Sequence, residues 1–157
     1  MINKTMPSPE PAHDFNLPTP GPRDEEAIRL VISDVESGFN TNNADLLLLH
    51  VAADAVIVNA VGTVLRGRDA VESATRAGLA RGPLQTATAH YRLSDIALVA
   101  PDVIVAHKSA WSSAEDARRG ASPEMNAHYT FVRREGRWWI LRRQNTLVAD
   151  GQARARG

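Results

Sequence analysis

Two histidines on predicted strands are the side chains best suited to move a proton. His107 lies four residues before Trp111 on a strand that begins at Val103, so alternation places both side chains on one face. An imidazole exchanges a proton near neutral pH, and an indole offers a large apolar surface with one polar tip. We expect His107 to carry protons and Trp111 to line a ligand pocket. A hydrogen-bonded core histidine beside a packing tryptophan is the alternative.

The second histidine, His128, belongs to the last predicted hairpin. A two-residue turn at Glu135-Gly136 pairs Arg134 with Arg137 and, counting outward, His128 with Arg143 and Asn126 with Asn145. The guanidinium charge would keep the imidazole neutral, as a base requires. A β-bulge would exchange parts of the two faces. Without one, the face of His128 carries the further side chains that we expect to contact a ligand: Asn126, Trp139, Leu141, Arg143 and Asn145.

A third polar candidate, Asn59, ends an alternating strand that begins at Asp54 and precedes a glycine turn at Gly62. Its carboxamide could orient a ligand carbonyl, but an asparagine at a strand end also commonly caps a turn.

The elements that must position these residues are helices first and strands second. Apolar spacing predicts a helix capped by Asp24 and running to about Asn40, a second over 44–51, and a third from Arg68 to Gly82. From Gln85 the period changes to two, which predicts four long antiparallel strands. This order favours an α+β fold whose helices cover one face of a bent sheet.

The chain is predicted to form one domain with two extensions. Residues 1–22 hold six of the nine prolines and are expected to form a disordered or draped arm. Residues 23–149 form a single α+β domain with a pocket, and residues 150–157 form a flexible basic tail.

Composition narrows the function classes. The formal charge is zero, so nucleic acid is not an expected partner, and the arginines of the last hairpin are interpreted as a solvated edge. The chain has no cysteine and no helical histidine pair, so we expect no bound metal. It also has no Gly-x-Gly motif, so we expect no nucleotide cofactor. No signal peptide or membrane-spanning run is present, so we expect a cytoplasmic protein without a membrane partner.

The order and spacing of several short motifs resemble the nuclear-transport-factor-2-like superfamily, also called ketosteroid-isomerase-like or SnoaL-like. The resemblance covers about residues 24–148. The motifs are a helix, a leucine-rich helix, Asp54–Asn59, Gly62-Thr63, Arg66–Ala70, the strands and Gly136–Ile140. The closing Gln144-Asn145-Thr146 is most similar to the SgcJ/EcaC branch, whose members occur with natural-product pathways.

The resemblance implies a cone-shaped fold with N-terminal helices packed on the concave face of a strongly bent, mostly antiparallel sheet. It also implies a ligand cavity between the helices and the sheet, and a homodimer formed through the sheet.

The same resemblance indicates that ketosteroid isomerisation itself is not the activity. The position of the isomerases' catalytic aspartate matches Asn59, and that of the oxyanion-hole tyrosine matches Val35. The position of the second oxyanion donor matches His128, which can still exchange a proton. Because a carboxamide cannot act as a base, the resemblance carries the fold and the pocket rather than this reaction.

Three functions remain open from the sequence. The first is a pocket protein of natural-product, polyketide-type metabolism, acting as a cofactor-free isomerase, cyclase or hydratase on a hydrophobic oxygenated substrate. The second is a non-catalytic carrier or interaction domain that uses the same cavity. The third is a dimerisation domain with a filled core.

Overall fold

The computed structural model describes residues 8–149. Its helices are α1 (Pro22–Asn40), α2 (Ala44–Leu48), α3 (Arg68–Ala80) and α4 (Ala114–Arg119), with a 3₁₀ turn at Pro83–Gln85. Its strands are β1 (Val51–Val58), β2 (Val64–Arg66), β3 (His90–Ala100), β4 (Val103–Trp111), β5 (Met125–Arg134) and β6 (Arg137–Leu147). Among residues 8–149, no helix is long and apolar enough to cross a membrane.

Helix α1 forms where its apolar spacing predicts. Ile28, Val31, Ile32 and Val35 recur every three or four residues and are all buried. The predicted cap at Asp24 is wrong: Gly21 occupies the cap position, three residues earlier, and the helix begins at Pro22, whose fixed φ and missing N–H suit the first turn. The carboxylate of Asp24 instead accepts hydrogen bonds from the Arg133 guanidinium and the Trp138 indole, which tie the helix to the sheet.

The second predicted helix is shorter than expected. Helix α2 ends at Leu48, and Val51 already belongs to β1, where it is buried.

The six strands form one unclosed sheet in the order β2-β1-β6-β5-β4-β3. All neighbours are antiparallel except β1 and β6, which run parallel. The predicted α+β class, with N-terminal helices against a mostly antiparallel sheet, is confirmed. The main core packs α1 against β4, β5 and β6, and a second apolar cluster packs α2 and α3 against β1.

A β-bulge in β6 changes the predicted register of the last hairpin. The Glu135-Gly136 turn has positive φ at both residues and pairs Arg134 with Arg137, as predicted. Farther out, Phe131 pairs with Ile140 but Thr130 pairs with Arg142, which leaves Leu141 as the extra residue.

Because of the bulge, two predicted cross-strand pairs are wrong. His128 lies opposite Gln144 rather than Arg143, and Asn126 lies opposite Thr146 rather than Asn145. Arg143 and Asn145 thereby move to the face that carries Tyr129 and Ala127.

The described part of the N-terminal arm lies along the edge of the sheet. The Leu98 amide in β3 donates to the Pro18 carbonyl at 2.8 Å, and Pro20 is buried. Residues 8–19 are otherwise exposed. Residues 1–7 and the predicted basic tail at 150–157 lie outside the described residues.

The close packing of α1 against α2 can be tested at Gly38, with Gly78 of α3 as the control. A Cβ on Gly38 of α1 would lie 2.9 Å from both the Cγ and the backbone nitrogen of Leu47, whereas a Cβ on Gly78 of α3 meets only the Leu84 side chain at 3.4 Å. We expect Gly38→Ala to destabilise the protein by about 1–2 kcal/mol, because overpacking outweighs the gain in helix propensity. Gly78→Ala should be neutral or stabilising by about 0.5 kcal/mol. Urea unfolding of both variants measures the difference, and equal effects would contradict this packing.

Candidate functional site: a cavity with a buried lysine

An apolar cavity of about 370 Å³ lies between the helices and the inner face of the sheet. Helices α1, α2 and α3, the 3₁₀ turn and residues from all six strands supply its walls. Exposed Val61 and Leu84 stand at its rim. Most lining side chains are apolar, and the polar ones are few: Asn59, Thr75, Tyr91, Lys108, Arg143 and Asn145.

Lys108 is the polar group most deeply placed in this cavity. Strand β4 alternates, so that Ala106, Lys108 and Ala110 turn inward, and Lys108 is only 2% exposed. Its Nζ lies 3.1 Å from the Tyr129 hydroxyl and 3.7 Å from the centre of the Tyr91 ring. Within residues 8–149 it forms no salt bridge.

Burial changes the acidity of the amine and of both phenols. Loss of water around Lys108 lowers the pKa of its ammonium, and the Arg143 charge lowers it further. Burial raises the pKa of Tyr91. For Tyr129, burial favours the neutral phenol, but the charges of Lys108 and Arg143 outweigh it and lower the pKa. The amine is therefore held closer to its neutral, nucleophilic form than a surface lysine.

Arg143 and Asn145 bring unpaired polar atoms to the same cavity. Both line it because the β6 bulge turns them inward. The Arg143 Nε and the Asn145 Oδ1 are buried and have no hydrogen-bond partner among residues 8–149. Since buried polar atoms are normally paired, a donor and an acceptor left open in one cavity indicate a place for a polar ligand group.

Asn59 lies at the edge of the cavity and also caps the turn that follows it. Its Oδ1 accepts from the amides of Val61 and Thr63 at 3.1 and 2.9 Å. The amide oxygen is thus committed to the turn, which leaves the NH₂ group to face a ligand.

The two histidines do not line the cavity. His107 and His128 lie opposite each other on β4 and β5, on the outer face of the sheet, between inward-facing residues. The His107 Nε2 is 3.1 Å from the Asn126 Oδ1, and His128 is exposed. The expectation that they face the cavity is corrected here, since alternation from Lys108 puts His107 on the other side.

The remaining predicted residues also lie away from the cavity wall. Trp111 is buried and its indole N–H donates to the Ala121 carbonyl at 2.7 Å. The Arg137 guanidinium carbon lies 4.0 Å from the centre of the Trp139 ring. Leu141 is the extra residue of the β-bulge. Of the predicted site residues, the structure brings together Asn59, Arg143 and Asn145.

The interpretation of the sequence missed Lys108, Tyr91 and Tyr129. A signal for Lys108 was present: the chain has two lysines, Lys4 and Lys108, among its 18 basic residues, and Lys108 interrupts an apolar strand. An ammonium at such a position requires a specific reason.

A second, more open depression lies near the β5–β6 turn. It contains Arg133, which is bound to Asp24 and Asp102, so its main charges already neutralise one another. No cluster of His, Asp or Glu within residues 8–149 could hold a metal ion.

Comparison with solved structures decides the architecture. The chain is similar to a protein with a cystatin-like fold from Caulobacter vibrioides, at 22% identity and a TM-score of 0.64, with 85% of this chain and 95% of that one covered. It is similar to an NTF2-like protein from Pseudomonas putida at 15% identity and a TM-score of 0.64, with coverage of 85% and 92%. The chain has the NTF2-like, cystatin-like fold.

The NTF2-like fold also occurs in a candidate scytalone dehydratase from Novosphingobium aromaticivorans. That structure is 16% identical, has a TM-score of 0.59 and is covered over 85% of its length by 81% of this chain. No family model matches the sequence, and no curated protein matches it significantly. The predicted SgcJ/EcaC branch stays a prediction.

Replacing the buried amine tests its energetic cost. Lys108→Met keeps the side-chain length and removes the ionisable group, so we expect a gain of about 1 kcal/mol in the free energy of unfolding at pH 7, as for other buried ionic groups replaced by apolar ones.

The gain should shrink as the pH rises. The unfolded lysine binds a proton up to its ordinary pKa of about 10.4, whereas the folded amine releases it at lower pH, so the wild type becomes more stable through this window. Tyr129, whose pKa is also lowered, acts in the same direction. Urea unfolding at pH 7 and pH 9 measures both variants. A gain that grows with pH would contradict the assignment.

Proposed function

We propose that the cavity binds an apolar, oxygenated small molecule and that the protein moves a proton on it without a cofactor. Isomerisation, cyclisation and hydration or dehydration are the reaction types that need only this step. Natural-product, polyketide-type metabolism is the proposed setting, because its intermediates combine apolar skeletons with carbonyl groups.

The observation that carries the proposal is the Lys108 amine at the wall of an apolar cavity, with phenols and a guanidinium beside it. A neutral amine can take a proton from a carbon next to a carbonyl. The open Arg143 Nε can donate to the oxygen on which negative charge then develops. These roles replace the earlier assignment of proton transfer to His107 and His128.

The fold supports the proposal. Two similar structures are described as candidate dehydratases, the one from Novosphingobium aromaticivorans and an NTF2-like one from Streptomyces avermitilis. The size of the cavity is within the range of small-molecule sites, which begins at about 300 Å³.

A non-catalytic carrier is the second candidate. Asn59 supports it, because the position expected for a base holds an amide that is engaged in a turn. A carrier would bind a ligand stoichiometrically and leave its carbon-bound protons in place.

We further propose that the protein acts in the cytoplasm as a homodimer formed through the outer sheet face. This face carries half-buried Val103, Val105 and Val132 beside the two histidines. Light scattering after size exclusion measures the assembly.

A blocked-cavity variant tests the proposed function. We expect the wild type to exchange the α-protons of methyl hexyl ketone for deuterium, measured by NMR in deuterated water. Ala74 lines the cavity on α3, whereas Ala77 on the same helix is exposed. Ala74→Phe should abolish the catalysed exchange and Ala77→Phe should retain it, because only the first ring enters the cavity.

The outcomes separate the two candidates. Binding of the ketone by native mass spectrometry without exchange would support the carrier, and neither binding nor exchange would reject the cavity as a site. His107→Gln and His128→Gln should leave exchange unchanged.

A further inference from the structure

We propose that Lys108 is a nucleophile that forms an imine with the carbonyl group of an apolar oxo acid whose carboxylate pairs with Arg143. This inference rests on the proposed function and names the substrate class of the same cavity. With such an acid, Lys108 activates the carbonyl group as an imine instead of taking the proton itself, and Arg143 contacts the carboxylate instead of the carbonyl oxygen.

The placement of Lys108 suits a nucleophile better than a structural cation. In the described part of the chain, its Nζ has one hydrogen-bond partner, the Tyr129 hydroxyl, and it also contacts the face of the Tyr91 ring. No carboxylate within residues 8–149 pairs with it. An amine desolvated in an apolar pocket beside a second cation is the environment in which lysine becomes a nucleophile near neutral pH.

The composition of the chain points the same way. Among its 18 basic residues, 16 are arginines, and every salt bridge of a long basic side chain within the described residues uses arginine. A guanidinium stays protonated in proteins and cannot attack a carbonyl, whereas a lysine amine can lose its proton. The buried position therefore holds the one cationic residue type with this chemistry.

Arg143 supplies the preference for an acid. The cavity is lined by Lys108 and Arg143 but by no aspartate or glutamate, and Arg143 forms no salt bridge within residues 8–149. Because a guanidinium remains charged, a carboxylate brought by the ligand would neutralise it. The open Nε is a donor available for that contact.

Four groups from four elements set the charge around the amine. Tyr129 on β5 and Arg143 on β6 act on it directly, Glu36 on α1 acts from beyond ion-pair distance, and the ring face of Tyr91 on β3 covers it. The Glu36 Oε2 accepts from the Tyr91 backbone amide at 2.6 Å.

The reaction balances without an oxidant or reductant. The nitrogen lone pair forms a bond to the carbonyl carbon, the π electrons move to the oxygen, and a proton passes from nitrogen to oxygen to give a carbinolamine. The C–O bond then breaks, and the oxygen leaves as water with one further proton, for which the Tyr129 hydroxyl is the nearest donor to the amine. The product is a protonated imine on Lys108.

Reductive trapping tests the proposal on the full chain. The protein is incubated with α-oxooctanoate and cyanoborohydride at pH 7, digested and analysed by mass spectrometry. We expect the peptide that contains Lys108 to gain the mass of the probe minus one oxygen atom. Lys4 in the same chain should react more slowly, because the lowered pKa of Lys108 leaves a larger fraction of its amine neutral at pH 7.

Variants and probes provide the controls. Lys4→Arg should leave trapping intact and Lys108→Met should abolish it, with thermal melting to verify that each variant is folded. Arg143→Gln should slow trapping of α-oxooctanoate about tenfold, as for loss of a charged partner, while octanal, which has no carboxylate, should react as in the wild type. α-Hydroxyoctanoate should give no adduct.

Three results would overturn the inference. If native mass spectrometry shows α-oxooctanoate bound but Lys108 stays unlabelled, the imine is rejected and the proposed pocket stands. If Lys4 is labelled as fast as Lys108, the environment of Lys108 gives no activation. Absence of both binding and labelling would reject the oxo acid, and only loss of methyl hexyl ketone binding as well would reject the proposed function.

Discussion

The organisation of this protein depends on one buried basic side chain, Lys108, and a half-buried second one, Arg143, in an apolar cavity to which no described residue contributes an acidic side chain. Water normally solvates an ammonium or a guanidinium, and its removal disfavours the charged form. Lys108 can release its proton, whereas Arg143 cannot. The two tyrosines around Lys108 replace part of the lost hydration, Tyr129 through a hydrogen bond and Tyr91 through the face of its ring. The cavity is thus electrostatically incomplete, and a ligand with oxygen functions would complete it.

The backbone places these groups through two local features. Side chains alternate along β4, so Lys108 points into the cavity and the adjacent His107 points to the outer face. In β6, the bulge at Leu141 turns Arg143 and Asn145 inward after Trp138 and Ile140 have already packed against α1. The same strand therefore contributes to the core at one end and to the site at the other.

Periodicity was sufficient to predict the architecture but not the site. The spacing of Ile28, Val31 and Val35 predicts α1, and the Glu135-Gly136 turn predicts the start of the last hairpin. The bulge has no such local signature, since Leu141 resembles any other strand residue. The predicted pairing of His128 with Arg143 is wrong for that reason. The same register shift turns Arg143 and Asn145 into the cavity.

The sequence prediction does not include Lys108, because alternation counted from an inward-facing His107 places Lys108 on the outer face of the sheet. Adjacent side chains on a strand point to opposite faces. If the period is correct but the first residue is assigned to the wrong face, every cavity residue of the strand is predicted to lie on the outer surface. The rarity of lysine in this chain was the stronger indication.

The most direct measurement is the pKa of Lys108 in the folded protein. Because the chain has two lysines, a sample labelled with ¹⁵N-lysine gives two side-chain signals, and Lys4→Arg assigns them. A pH titration by NMR should place the Lys108 midpoint below that of Lys4, as burial without an anionic partner requires. A Lys108 midpoint equal to or above that of Lys4 would show a solvated or ion-paired ammonium and would contradict this account of the cavity.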